Sequence, residues 1–281
     1  MYYYNNGILY YSDKMVKGKA CTVESFEKNE IYSRQINLSE IGKEGQQKLE
    51  KASVLVVGCG GLGAPVLYYL TAMGIGNIGL CDGDTVALSN LNRQILYTLK
   101  DIGKSKAKTA AKRIKALNPD LKIRIYDQYI DKNSAKKIIP NYDIVIDCLD
   151  NFETRFILND ICVKMKTPMI HAGVGEFYGQ LMTIIPGKSP CLRCLFPGTV
   201  KKEKNNKKTN DQTDLTGIIG TTPGVIGAMQ ATEAMKYLLG LPTINTGLVT
   251  YDALELSTKK VEIKRSENCI CRINKYKANI K

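Results

Sequence analysis

The sequence contains no run of about eighteen consecutive apolar residues, the length that a membrane-spanning helix needs, so we expect no membrane span. Residues 1–20 are polar and rich in tyrosine, and they lack the basic start and continuous apolar centre of a secretory signal peptide. Neither an internal repeat nor a clear domain linker interrupts the 281 residues. These absences predict a cytoplasmic protein that folds as one domain over residues 1–281.

The nine cysteines, an odd number, do not favour a disulfide framework, and several lie in or beside apolar stretches that resemble buried strands. Two close pairs stand apart from the others. Cys191 and Cys194 occur in the motif PCLRC, and Cys269 and Cys271 occur in NCIC. From the residues alone, a metal site, a disulfide pair and coincidence of composition all remain open.

The charge balance is basic, with 40 Lys and Arg residues against 27 Asp and Glu residues and a formal net charge of +13. Such a charge favours an anionic partner, although a lysine-rich composition spread over solvated faces explains it more simply. The densest basic run, residues 200–214, mixes Lys with Asn, Thr and Asp and has no interleaved aromatic residues. That composition predicts a mobile loop rather than a nucleic-acid site.

Short apolar runs alternate with helical patterns through the first two thirds of the chain. The connections are too long for hairpins, which is typical of parallel βαβ units and of a doubly wound α/β sheet. The predicted strands are residues 53–58, 77–82, 122–130, 142–150 and 168–174, with helices at 63–74, 103–119 and 152–165.

After residue 175 the pattern changes to strands of the antiparallel kind, at 178–187 and within 246–265, with a helix at 223–240 between them. We therefore predict a Rossmann-like, mostly parallel sheet extended by antiparallel C-terminal strands. The remaining segments are a helical N-terminal extension at 1–30, a mobile crossover loop at 198–216 and a C-terminal tail at 266–281 that carries the second cysteine pair.

A glycine-rich loop of the form G-x-G-x-x-G joins the strand at 53–58 to the helix after it. Glycine lets the backbone approach a phosphate closely, and the helix N-terminus offers free N–H groups and a partial positive charge. The next strand ends in Asp82, where a ribose hydroxyl is expected. These features predict nucleotide binding, and up to this point a nicotinamide dehydrogenase fits equally well. The loop glycines are Gly58, Gly60, Gly61 and Gly63.

A dense polar cluster just past the second strand favours a triphosphate over a nicotinamide dinucleotide. Arginine clamps phosphate oxygens in a bidentate fashion and amide side chains satisfy further oxygens, whereas a simple dehydrogenase has no need for such a set. Lys104 and Lys106 follow at the start of the next helix and are candidates for further phosphate contacts. The cluster consists of Asp82, Asp84, Ser89, Asn90, Asn92, Arg93 and Gln94.

The fourth strand ends in Asp150 and Asn151, in the motif CLDN. Ligands of such sheets bind at the carboxyl ends of the strands, and a carboxylate that faces phosphates there predicts Mg²⁺ binding. A second interpretation, compatible with the first, makes Asp150 the N-cap of the following helix.

Together these motifs resemble the ThiF/MoeB/HesA family of adenylyltransferases, which are relatives of the ubiquitin-activating enzymes. The resemblance runs from Ile31 to Cys271 and is carried by YSRQI, VLVVGCGGLGAP, DGDTVALSNLNRQILY, DIGKSKA, DCLDN, GQLMTIIPG, PCLRCLFP and GTTPGVIGAMQATEAMKYLLG. It implies an enzyme that uses Mg²⁺ and ATP to adenylate the C-terminal glycine carboxylate of a ubiquitin-like sulfur carrier that ends in Gly-Gly.

The resemblance also implies roles for individual residues. Gly61 and its neighbouring glycines line the nucleotide, Asp82 holds the ribose, and Asp150 handles Mg²⁺ and is essential to the chemistry. Arg34 reaches the active site of the other subunit, which implies a homodimer. The phosphates are held by Asn90, Arg93, Gln94 and Lys106.

In the resembled family, two C-x-x-C motifs bind a structural Zn²⁺, which implies the ligands Cys191, Cys194, Cys269 and Cys271. The second pair departs from that pattern, because it is C-x-C. Residues i and i+2 of an extended segment point to one face, so the pair is able to chelate, with less ideal backbone support than C-x-x-C has.

A further departure lies in the crossover loop, where many family members carry a cysteine that links covalently to the carrier. Here Thr213 sits near the expected position, and a Thr hydroxyl is a far weaker nucleophile than a thiolate. We therefore hypothesise that the enzyme stops at the acyl-adenylate.

Three other functions fit parts of the sequence less well. One is a related ATP-dependent activator of a non-protein or tRNA-base carboxylate, which the basic charge and the absent loop cysteine leave open. The others are a zinc-stabilised nucleotide-binding regulator and a nicotinamide oxidoreductase. The single histidine, His171, is expected to have a packing role, since an ionised carboxylate needs no general base to attack ATP.

Overall fold

The computed structural model describes residues 2–5, 8–11, 28–197 and 217–272. Ten strands and nine helices are used below, all within those ranges. The strands are β1 (Tyr2–Asn5), β2 (Ile8–Tyr11), β3 (Ser53–Val57), β4 (Asn77–Cys81), β5 (Lys122–Tyr126), β6 (Ile144–Asp147), β7 (Met169–Gly175), β8 (Tyr178–Ile184), β9 (Gly247–Asp252) and β10 (Ser257–Glu262). The helices are α1 (Lys28–Ile31), α2 (Ser33–Ile36), α3 (Gly42–Lys51), α4 (Gly63–Ala72), α5 (Lys106–Leu117), α6 (Lys132–Ile138), α7 (Phe152–Met165), α8 (Leu192–Leu195) and α9 (Thr221–Leu239).

The main sheet has eight strands in the order β10-β9-β8-β7-β6-β3-β4-β5. The five neighbouring strands β7, β6, β3, β4 and β5 are parallel. The strands β8, β9 and β10 extend this sheet beyond β7, each antiparallel to its neighbour. The predicted fold class is confirmed. The chain winds outward from β3 through β4 to β5 and then returns to place β6 on the other side of β3, which creates the crevice where ligands of such sheets bind.

Two hydrophobic clusters cover the two faces of this sheet. Val54 and Val56 of β3 belong to the cluster that includes α4 and α9, whereas Leu55 and Val57 belong to the cluster that includes α6 and α7. Successive side chains of a strand point to opposite faces, so a strand that is covered on both sides must be apolar throughout. That requirement explains the continuous apolar run at the start of the glycine-rich loop.

The N-terminal extension is not entirely helical, so the prediction for residues 1–30 is wrong in part. β1 and β2 pair antiparallel, from Tyr2 opposite Tyr11 to Asn5 opposite Ile8. The sequence between them is Asn-Gly, the dipeptide most typical of two-residue hairpin connections, and the strands are rich in tyrosine, which favours β-structure.

Several other boundaries differ from the prediction by a few residues. α5 begins at Lys106 rather than at 103, because the hydroxyl of Ser105 caps it by accepting from the N–H of Lys108 over 3.2 Å. The predicted crossover loop at 198–216, the basic run within it and residues 273–281 of the tail lie outside the described residues. Within the described ranges, none of the helices combines the length and the apolar character that crossing a membrane requires.

Candidate active site

The glycine-rich loop is shaped by two glycines that the backbone requires. Gly58 has a φ of +95°, and a Cβ at this position would lie 2.5 Å from the carbonyl oxygen of Cys148. A Cβ at Gly63 would lie 2.1 Å from the carbonyl oxygen of Gly58. Both positions therefore exclude any side chain. Gly60 and Gly61 are less constrained and face a cavity with Gly58.

That cavity, of about 800 Å³, lies at the carboxyl ends of the parallel strands. It brings together most of the residues predicted to bind the nucleotide, from four separate segments of the chain. Its walls include Gly58, Gly60, Gly61, Asp82, Asp84, Arg93, Gln94, Lys106, Asp150 and Asn151.

Asp82 follows the last residue of β4 and is largely buried. Its Oδ2 accepts from the N–H of Cys59 over 2.7 Å, and its Oδ1 accepts from the N–H of Asp84 over 2.8 Å. Burial raises the pKa of Asp82, while these two N–H groups oppose the shift. Each carboxylate oxygen keeps a lone pair for a further donor, such as a ribose hydroxyl.

Lys106 is buried at the start of α5, and its Nζ lies 2.8 Å from Oδ2 of Asp84. Oδ1 of Asp84 accepts from the hydroxyl of Tyr129 over 2.6 Å. Partial burial raises the pKa of Asp84, but hydrogen bonds from Lys106 and Tyr129 outweigh burial and leave this pKa below its ordinary value. The same hydrogen bond raises the pKa of Tyr129. The cavity therefore holds a lysine whose side chain is oriented by Asp84 before any ligand binds.

Arg93 is oriented by its own segment of the chain. Its Nη1 donates to the carbonyl oxygen of Ser89 over 3.0 Å and to Oδ1 of Asn92 over 2.9 Å. Oδ1 of Asn90 accepts from the N–H of Ala87 over 3.1 Å and so caps the short turn that precedes Arg93. Ser89, Asn90 and Asn92 are not among the residues that line the cavity.

Gln94 is buried against the glycine-rich loop. A Cβ on Gly60 would lie 3.4 Å from its Nε2. Its Oε1 has no hydrogen-bond partner among the described residues. A buried amide with a free oxygen suits a site that receives a polar ligand.

Asp150 is exposed and lines the cavity in the loop between β6 and α7. Asn151, not Asp150, caps α7, because its Oδ1 accepts from the N–H of Thr154 over 2.9 Å. The interpretation of Asp150 as the N-cap is therefore wrong, and its carboxylate is left to face the cavity. Arg34 is exposed on α2 and does not line this cavity.

Tyr129 and Arg155 are two of the cavity residues that the sequence analysis does not predict. Tyr129 follows β5, and the rule that placed Asp82 and Asp150 at strand ends also applies to it. Arg155 lies in α7, and its side chain is almost completely buried. No local pattern in the sequence marks it, since a helical arginine is usually solvent-exposed. His171 is fully buried, with its Nδ1 2.7 Å from Oδ2 of Asp147, which agrees with a packing role. Burial lowers the pKa of His171.

The two cysteine pairs meet far from the glycine-rich loop in sequence. The Sγ atoms of Cys191 and Cys269 are 3.5 Å apart, as are those of Cys194 and Cys271, and all four lie within 4.8 Å of one another. Tetrahedral zinc with Zn–S bonds of about 2.3 Å places sulfurs at about 3.8 Å, so this donor set fits a zinc ion. The sulfurs of the C-x-C pair thus lie in the same cluster as those of the C-x-x-C pair.

Comparisons with known proteins agree with this architecture. Residues 32–272 match the model of the ThiF family. A sulfur carrier protein adenylyltransferase from Thermus thermophilus is 40% identical over 86% of this chain and 90% of its own length. A SAMP-activating enzyme E1 from Haloferax volcanii is 40% identical over 85% of this chain and 86% of its own length.

A solved structure of Escherichia coli MccB with ATP superimposes with a TM-score of 0.73 at 25% identity, covering 88% of this chain and 75% of that one. The resemblance inferred from the motifs is confirmed by the family match and by the curated relatives. The glycine-rich loop, the polar strand ends and the four-cysteine cluster thus occur in a protein that belongs to the ThiF family.

Proposed function

We propose that this protein adenylates the C-terminal glycine carboxylate of a ubiquitin-like sulfur carrier, with ATP as the second substrate and pyrophosphate as the product. The observation that carries this proposal is the cavity, which gathers the glycine-rich loop, Arg93, Lys106 and Asp150 at one edge of the sheet. The relatives from Thermus thermophilus and Haloferax volcanii are named for the activation of such carriers, and they match this chain over most of its length.

The reaction joins two anions. A carboxylate oxygen of the carrier attacks the α-phosphorus, a C–O–P linkage forms, and the bond to the pyrophosphate oxygen breaks. Negative charge grows on the α-phosphoryl oxygens and on the leaving group, so fixed cations lower the barrier. Lys106 and Arg93 supply that charge in orientations that the protein has already set.

The remaining residues of the cavity bind and orient the nucleotide. The glycine-rich loop, with its N–H groups, and Gln94 line the nucleotide site, and Asp82 accepts from the ribose. Ser89, Asn90 and Asn92 act by holding the segment that carries Arg93. Asp150, helped by Asn151, would hold Mg²⁺, which offsets phosphate charge when bound.

The far part of the cavity fits a narrow peptide tail. Gly173, Gly175, Gly179 and Gly217 line it, and a Cβ on Gly175 or Gly217 would project into open space. Glycine presents no side chain to the cavity, so these four positions leave room for the close approach of an extended peptide backbone. This shape favours a partner that ends in Gly-Gly.

Two further parts of the proposal concern assembly. The exposed Arg34 lies away from its own cavity, and we assign it to the active site of a second copy in a homodimer. The four cysteines would hold a structural Zn²⁺ that links the C-terminal tail to α8. α8 is in turn bound to α7, since Arg193 Nε donates to Asp160 Oδ1 over 2.6 Å.

Carrier-dependent exchange of labelled pyrophosphate into ATP tests the function. Exchange is expected only with Mg²⁺ and a small carrier that ends in Gly-Gly; it should stop when the last glycine is deleted and fall to a low residual rate when Asp150→Asn is introduced. Activity that needs tRNA or a small carboxylate, and no carrier, would instead support the alternative substrate class. Thr213 lies outside the described residues. A thiol-sensitive adduct between enzyme and carrier on a non-reducing gel would contradict the hypothesis that the enzyme stops at the acyl-adenylate.

A further inference from the structure

Leu149 precedes Asp150, and both its backbone N–H and its carbonyl oxygen are hydrogen-bonded to buried side chains. The N–H of Leu149 donates to Oδ1 of Asp147 over 3.1 Å, and the carbonyl oxygen of Leu149 accepts from Nη2 of Arg155. The same Nη2 donates to the carbonyl oxygen of Ala172 over 2.9 Å. One guanidinium group therefore attaches the loop after β6 to strand β7.

A buried carboxylate and histidine support this guanidinium. Asp147 and His171 are both 0% exposed and lie opposite each other in the register of β6 and β7. Nδ1 of His171 donates to Oδ2 of Asp147 over 2.7 Å, and Nε of Arg155 lies 3.8 Å from the same oxygen. A buried carboxylate is stable only with such partners, and its orientation in turn directs Oδ1 to Leu149.

The side chain of Asp150 has little to orient it apart from its backbone. Its one hydrogen bond in the described part of the chain comes from Nδ2 of Asn151, at 3.5 Å. On the other side of Asp150, Asn151 is fixed as the N-cap of α7. The anchored residues on either side, Leu149 and Asn151, thus fix the Cα of Asp150, and the position of the Asp150 carboxylate follows from that of its Cα.

We propose that Arg155, supported by Asp147 and His171, is a positioning residue that sets the location of the Asp150 carboxylate in the cavity. This role rests on the adenylation function and on the role of Asp150 proposed above. Displacement of a catalytic group by about 1 Å can lower the reaction rate about 10²-fold. Loss of the Arg155 contact is therefore expected to lower turnover, while ATP still binds to the glycine-rich loop and Asp82.

The variant Arg155→Lys separates charge from geometry. Lysine keeps a cation near Asp147 but lacks the planar set of N–H groups that reaches two carbonyl oxygens. We expect about a 10²-fold lower rate of carrier-dependent exchange, with the Kd for ATP, measured by calorimetry, unchanged. Arg193→Lys is the matched control, because Arg193 contacts Asp160 further along α7, and it should leave the exchange rate unchanged.

A double-mutant cycle distinguishes positioning from general support of the fold. If Arg155 acts through Asp150, adding Arg155→Lys to Asp150→Asn lowers the residual exchange rate no further. Losses that multiply in the double variant would overturn the proposal.

A second pair of variants covers the case in which thermal melting shows that Arg155→Lys does not fold. His171→Asn places an amide N–H near the position of Nδ1 and is expected to keep the exchange rate close to that of the wild type. His171→Leu removes the donor and should lower the rate; equal rates for the two variants would contradict the proposal. Absence of exchange in the wild-type protein would contradict the adenylation function itself, whereas wild-type exchange with multiplying losses contradicts only the positioning role.

Discussion

Nζ of Lys106 lies 2.8 Å from Oδ2 of Asp84, in a position where the lysine side chain is only 9% exposed. The pair orders the cation before any nucleotide arrives, and Tyr129 fixes Asp84 from the other side at 2.6 Å. A charge held in place in advance needs no reorganisation as the reaction proceeds, which is why such groups contribute strongly to catalysis. The first prediction follows from this arrangement.

Lys106→Met is expected to lower kcat/KM for carrier-dependent exchange about 10²- to 10³-fold, because it removes a preorganised cation from the phosphate side of the cavity. Asp84 is partly exposed and tolerates the loss of its partner, so the melting temperature should change little. Lys112→Met, an exposed position on the same helix, is the control. Equal activity of the two variants would exclude Lys106 from the chemistry.

Substitution by alanine should have different effects at two glycines of the glycine-rich loop. Gly63→Ala places a Cβ 2.1 Å from a backbone oxygen, so we expect it to lower the free energy of unfolding by about 1–3 kcal/mol, as overpacking does. Gly60→Ala meets only the side chain of Gln94, at 3.4 Å, and should fold normally but raise the KM for ATP. Denaturant unfolding and exchange kinetics together check both expectations, and a stable Gly63→Ala would contradict the assigned backbone approach.

Zinc content should fall in Cys269→Ser and in Cys271→Ser alike, because both sulfurs lie in the four-cysteine cluster. Metal analysis of the purified variants measures this directly. Cys162→Ala is the control, since Cys162 is buried but lies outside the cluster and should keep the metal of the wild type. Full retention of zinc in either serine variant would remove that cysteine from the ligand set.

Asp101 makes the stability of the fold depend on pH. It accepts from the hydroxyl of Thr98 over 2.8 Å and from Nη2 of Arg113 over 2.9 Å. These donors, the Thr98 hydroxyl first, hold the pKa of Asp101 well below its ordinary value. Stabilisation from a lowered pKa is complete above the pKa of the unfolded chain, about 3.9, and is lost as the pH falls below it.

Asp101→Asn is therefore expected to lower the free energy of unfolding at pH 7 by about 1.5–3 kcal/mol, the range for hydrogen bonds to charged groups. The difference from the wild type should shrink as the pH falls below about 4. Urea titrations at several pH values measure it, with the exposed Glu255→Gln as the control. A difference that stays constant down to pH 3 would mean that the charge of Asp101 contributes nothing.

Much of the site could be predicted because its parts are local. A glycine pattern between a strand and a helix, and polar residues such as Asp82 and Asp150 at strand ends, depend on residues that are adjacent in the chain. The choice of Asn151 over Asp150 as the N-cap is also local, yet the residue types do not predict it. Both residue types cap helices well, and only the backbone at the first turn decides between them.

By itself the sequence determined the doubly wound sheet, the glycine-rich loop and the polar strand ends, since each depends on short-range periodicity and on backbone freedom. Tertiary structure decided which distant groups meet. It placed β6 beside β3 and β7, so that Arg155 reaches Leu149 and Ala172, and it brought Cys269 within 3.5 Å of Cys191, which lies 78 residues earlier. These contacts depend on the order of strands in the sheet and on the path of the chain between them. No local pattern specifies either, because the periodicity of a helix or strand determines which of its faces is apolar but not which other element packs against that face.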